Sequence, residues 1–102
     1  MWILTRQSFV SVLRHADEPD QMLVRSRRKS DITELWPDAN VVATPTADYE
    51  FRAAVPEAEV IAAMSRKIHD IDYTTDFKGG ANSRKRHDAY MRVWSALRAL
   101  AS

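Results

Sequence analysis

The sequence predicts a small α+β domain: an antiparallel sheet of three to four strands, in the order β-β-α-β-β-α-α, with helices packed on one face. Three observations carry this reading. The stretch Asp48-Tyr49-Glu50-Phe51-Arg52-Ala53-Ala54-Val55 alternates with a period of two, and at Pro56 a 3.6-residue period takes over at once. Extended, β-rich runs fill the first half of the chain and helical spacing fills the second. The length, 102 residues at 45% apolar, suits a single domain that buries roughly 60–70% of its unfolded surface in one core.

Residues 2–5 and 9–13 are β-rich, with Thr5-Arg6-Gln7-Ser8 between them as a bulge or a short polar turn, and together they read as one bent strand. His15-Ala16-Asp17-Glu18-Pro19-Asp20 is a turn cluster, after which residues 22–27 resume an extended pattern and pair back as an antiparallel hairpin. Ser30 is placed to cap a short helix with Ile32, Leu35 and Trp36 on one face. Pro37 stops it, because the residue before a proline is pushed out of the α region. Residues 40–44 form the third strand and 49–55 the fourth. Pro56 suits a first helical turn, and Glu57 and Glu59 complement the positive end of the dipole. Val60, Ile61, Met64, Ile68 and Ile71 then make a stripe expected to pack on the sheet. Residues 72–82 hold the only two glycines and no sustained period, which marks a loop. Ser83 caps a final helix on which Tyr90, Val93, Trp94, Leu97 and Leu100 recur.

Charge and composition exclude several classes. Fifteen Lys and Arg against fourteen Asp and Glu leave a formal charge of +1, so any basic site must be a local patch. Without cysteine there is no disulfide framework, thiolate chemistry or Cys-ligated metal. The opening Met1-Trp2-Ile3-Leu4-Thr5-Arg6 is too short an apolar run for a signal peptide, and no membrane-length apolar stretch follows. A cytoplasmic protein is expected.

No motif specifies a reaction, and neither a cofactor nor an enzyme is expected. His69-Asp70 and His87-Asp88 repeat the dipeptide that supplies metal ligands in phosphohydrolases of the HD type. His15 is the only other histidine, so both pairs read as solvated helix-surface residues. No serine lies in a Gly-x-Ser-x-Gly elbow, Gly79-Gly80 lacks the lysine and hydroxyl of a phosphate loop, and Asp70, Asp72 and Asp76 lack calcium-loop spacing.

Two leads remain. Arg25, Arg27, Arg28 and Lys29 follow one another closely, Arg66-Lys67 lie on the second helix, and Arg84, Lys85 and Arg86 open the last helix against its dipole. These clusters either contact nucleic acid by displacing counterions from phosphate or form solvated faces, with the strand arginines protecting an exposed sheet edge. The aromatic residues give the other lead. Most belong in the core, while Phe77 in the glycine-flanked loop either plugs the core or anchors a partner together with Tyr73 and Lys78. The last helix could equally mediate a homodimer.

The segments Met1-Trp2-Ile3, Phe9-Val10-Ser11-Val12, Leu23-Val24-Arg25-Ser26-Arg27, Asp48-Tyr49 through Val55, Ile71-Asp72-Tyr73 and His87-Asp88-Ala89-Tyr90-Met91-Arg92-Val93-Trp94 resemble a family of small uncharacterised bacterial proteins. The resemblance spans nearly the whole chain. Members carry a tyrosine, one or two residues and then Phe-Lys after the Ile-Asp pair; Tyr73-Thr74-Thr75-Asp76-Phe77-Lys78 is slightly longer. The resemblance implies one domain and brings no activity, ligand or catalytic residue. The expected function is a small non-enzymatic binding or regulatory protein working through protein contacts, and the alternative is nucleic-acid binding by the basic patches.

Overall fold

The computed structural model describes residues 1–75, 77 and 80–101. The chain divides into two compact units, Met1–Ile71 and Asp72–Ser102. The first holds strands β1 (Trp2–Leu4), β2 (Phe9–Arg14), β3 (Gln21–Ser26), β4 (Val42–Ala43) and β5 (Phe51–Pro56), with helices α1 (Lys29–Leu35) and α2 (Glu57–His69). The second holds α3 (Arg84–Leu97) and a 3-10 turn over Arg98–Leu100. The class is α+β with one antiparallel sheet, as expected. Among the described residues the strand count is five rather than three to four, and the chain order is β-β-β-α-β-β-α-α.

The difference lies in residues 5–8, which form a turn. The Thr5 amide donates to the Ser8 carbonyl at 2.8 Å, and Thr5 Oγ1 accepts from the Ser8 and Gln7 amides at 3.0 and 3.3 Å. A threonine hydroxyl that satisfies two amides in this way closes a reversal that sequence alone leaves level with a bulge. The expected bent strand is therefore a hairpin, with Ile3 opposite Val10 and Leu4 opposite Phe9. The next reversal is fastened by His15, whose Nδ1 accepts from the Asp17 and Glu18 amides.

The spatial order is β1-β2-β3-β5-β4, antiparallel throughout. Alternation turns Val10, Val12, Val24, Ala53 and Val55 to one face, where they pack with Ile32, Leu35 and Trp36 from the α1 region and Val60 and Ala63 from α2. Ser30 lies within the first turn of α1 instead of capping it; the cap position is Arg28, and the tie to the sheet is Asp31. That buried carboxylate accepts from the Phe9 amide at 2.9 Å, an amide left over where β1 ends. Lys67 of α2 pairs with Glu34 of α1 and joins the two helices across their outer side.

Helix α2 lies deeper on one side than its apolar stripe suggested. Val60 and Ala63 are buried and Met64 partly so, whereas Ile61, Ile68 and Ile71 are exposed, Ile68 at 70%. Ala63 is the reason. Its small side chain lets the helix approach the sheet, and with Val60, Met64 and the stem of Lys67 it completes an i, i+3, i+4, i+7 line displaced from the large residues.

Candidate functional site

Strand β3 is central, with β2 on one side and β5 on the other. Arg25 and its neighbours therefore cannot be edge protection, because there is no edge beside them. The register places Trp2 opposite Ser11, Ser11 opposite Arg25, Arg25 opposite Arg52, and Arg52 opposite Val42. The five residues form one row across all five strands, on the face opposite α1 and α2.

At the centre of the row two guanidinium-bearing side chains stand directly opposite each other, an arrangement that is destabilising for like charges. Arg25 Nη2 donates to Ser11 Oγ at 3.0 Å, and its guanidinium carbon lies 4.6 Å from the centroid of the Tyr49 ring. Arg27 lies over the same ring at 5.1 Å and pairs with Asp48 at 3.4 Å. Tyr49 precedes β5 and so escapes the alternation that would turn it toward the core. Its ring meets Phe9 at 6.3 Å on the outer face and holds both cations by its electron-rich surface. Arg52 makes no hydrogen bond or ion pair among the described residues, and Glu50, on the same face of β5 by alternation, pairs with neither arginine. The Nε atoms of Arg25 and Arg52 are both buried without a protein partner. Removing a cationic donor from water without replacing its hydrogen bond costs about 1–3 kcal/mol, and this face carries two such atoms.

Trp2 ends the row and is 64% exposed, an exception among aromatic residues that are otherwise mostly buried or half-buried. Phe9 braces it at 5.6 Å with the rings 83° apart. The sequence marked Arg25 and Arg27 but not Trp2, Ser11, Tyr49 or Arg52. The alternation of Glu50 and Arg52 with Tyr49 and Phe51 was the available signal for Arg52, and it needed the register of β3 against β5 to become a site.

The other sequence-marked residues are dispersed. Arg28 occupies the position before α1 and is exposed. Arg84 and Lys85 are exposed in the first turn of α3, where Arg84 faces Asp88 at 3.6 Å. Arg86 is only 8% exposed. Its Nε donates to Asn82 Oδ1 at 2.9 Å and its Nη1 to the Tyr90 hydroxyl at 3.0 Å, while Ser83 caps the helix by accepting from the Arg86 amide. These internal bonds account for a cation at a helix N-terminus.

The Tyr73 and Phe77 rings meet at 6.2 Å in a tilted arrangement, and Phe77 meets Tyr90 at 5.9 Å; Lys78 lies outside the described residues. Phe77 is half-buried in this ring cluster. Alanine at Phe77 is accordingly expected to remove about 1–3 kcal/mol, visible as a melting temperature lowered by several degrees in a circular dichroism scan. An unchanged melting temperature would return Phe77 to a partner-facing role.

His69 is exposed at the end of α2 and His87 lies 3.5 Å from Asp88. Among the described residues no three His, Asp or Glu side chains come together as a metal-binding group, and no helix is long and apolar enough to cross a membrane. A cleft of about 420 Å³ runs beside β5 where β4 stops, lined among others by Trp36, Asp38, Asn40, Ala54, Glu59 and Arg66. No family model, curated protein or solved structure matches the chain.

Proposed function

We propose that this is a small non-enzymatic protein that binds nucleic acid through the outer face of its sheet, with Arg25, Arg27 and Arg52 as the phosphate-contacting residues. The observation that supports this reading best is the opposition of Arg25 and Arg52 on the central strands, with both Nε atoms desolvated and no acid among the described residues brought up to neutralise them. A bound phosphate relieves the repulsion by accepting from the Nη groups of both guanidiniums. The basic residues of α3 are not needed, and Arg86 is engaged internally. The same reading has the protein work in the cytoplasm, in keeping with a chain free of cysteine.

The test is a salt titration of a fluorescently labelled oligonucleotide followed by anisotropy. Three phosphate contacts predict a slope of log K against log salt of about −2 on a single strand. The Arg25→Ala/Arg52→Ala double variant is expected to reduce that slope to below about −1 in magnitude. A slope that the double variant leaves intact would remove this face from the interaction.

One observation favours a second reading. On α3, Trp94 and Leu97 are 50% and 57% exposed and Leu100 follows at the same three-residue spacing, giving an apolar ridge of the kind that enters a groove on a protein partner or a second copy of the chain. On that reading Tyr73 and Phe77 support the ridge through Tyr90.

A further inference from the structure

We infer that the ligand of the outer sheet face is a single strand, lying across the β-strands with one base stacked on Trp2 and its phosphates on Arg25 and Arg52. This rests on the nucleic-acid reading above and adds to it the strandedness and the path.

The row supplies the geometry. Neighbouring strands lie about 4.8 Å apart, so Trp2 stands roughly 10 Å from Arg25 and 14 Å from Arg52 along one line perpendicular to the strands. That span suits the roughly two to three nucleotides that a sheet surface typically holds. Ser11, small and fully buried, lies beneath the side chains on either side of it in the row. Its hydroxyl accepts from Arg25 Nη2 and so leans that cation toward the Trp2 side of the row.

The order along the row is thus ring, buried serine, cation, cation: a stacking surface followed by charge. This sequence of surfaces matches the alternation of base and phosphate in an extended strand. Phe9 meets Trp2 edge to face, a contact that occupies at most one side of the indole and leaves the other for a base.

A duplex does not fit this arrangement. Its bases expose only their edges, in grooves that are read by an inserted helix, ribbon or arm. A tryptophan standing in a sheet row has no base face to meet until the strands separate. Three arginines alone also make a small electrostatic footprint for a duplex. The exposed ring is therefore the element that distinguishes the two ligands, and the cations are common to both.

The experiment compares a short labelled oligonucleotide as a single strand, as a duplex, and as a single strand carrying abasic sites, in deoxy and ribo forms, against the full chain. The expected result is single-strand binding at least roughly tenfold tighter than duplex binding, with the abasic strand falling toward the duplex. Trp2→Ala should weaken the single strand by roughly 5- to 100-fold while leaving the salt slope unchanged, and Trp2→Phe should retain most of the affinity. Should Trp2→Ala fail to fold, Trp2→Leu keeps the apolar bulk without the π surface and must show the same loss. Equal or tighter duplex binding, or no effect of removing the ring while Arg25→Ala and Arg52→Ala still weaken binding, overturns this inference and leaves the nucleic-acid reading standing. Absence of binding by every oligonucleotide at low salt overturns both.

Discussion

Alanine at Arg52 is expected to cost at least roughly tenfold in oligonucleotide affinity and to leave the melting temperature unchanged or raised by a few degrees. The two effects have one cause. In the free protein Arg52 stands opposite Arg25, its Nε is desolvated, and no acid among the described residues compensates it, so its removal relieves repulsion and a desolvation cost. In the proposed complex the same guanidinium would supply a charge-assisted bond to phosphate, whose loss corresponds to about 1.5 kcal/mol or more. Lysine at this position keeps the charge but loses the planar fork, and should fall between wild type and alanine. Anisotropy and thermal melts on the same preparations read both quantities. A lowered melting temperature with affinity intact would make Arg52 a packing residue.

Alanine at Trp36 is expected to have the largest effect on stability, about 3–5 kcal/mol. The indole is buried between the end of α1 and the start of α2, and its Nε1 donates to the Glu59 carbonyl at 3.0 Å, an acceptor in the first turn of α2. Its own amide closes α1 by donating to the Ile32 carbonyl at 2.8 Å. Removal leaves a cavity between two helices and the sheet, with one ligature between those helices cut. In a unit of this size the loss should lower the melting temperature by more than roughly 12 °C, measured by circular dichroism. Phenylalanine keeps most of the volume and forfeits the indole bond, so a loss of about 1–2 kcal/mol is expected there. A loss below about 1 kcal/mol for alanine would mean that the helices close over the gap unaided.

How far the sequence reaches can be followed residue by residue. The passage from Phe51–Pro56 to a helix at Glu57 was legible because both periods are long and meet at a proline. The turn at Thr5 was not, since a hydroxyl that closes a turn and one that decorates a bulge look alike in sequence. Ala63 shows a different limit. Residue size, not only polarity, decides which side of α2 comes nearest the sheet, so Ile61 and Ile68, which the apolar spacing places inward, stand outward. The candidate site was half legible. Arg25 and Arg27 stood out as a cluster, but the meaning of Arg25 depends on β5 lying beside β3 while β4 takes the edge, a crossover that local pattern does not encode. Conversely, Arg86 looked like part of a basic patch because sequence cannot show a side chain turned back onto Tyr90.

The junction at Pro56 is both the last residue of β5 and the cap position of α2, and the first helical amide, that of Glu57, is already committed to the Asp20 carbonyl at 2.9 Å. The chain has no slack there, and hence no hinge. A fluctuation that lifts the strand bearing Arg52 must carry α2 with it, pulling Val60 and Ala63 from the core in the same event. The outer sheet face and the far helix should therefore open as one cooperative unit, with matched amide-exchange protection along residues 51–64. Occupancy of the outer face would then be felt on the opposite side of the sheet as slower exchange in a helix that the ligand never touches.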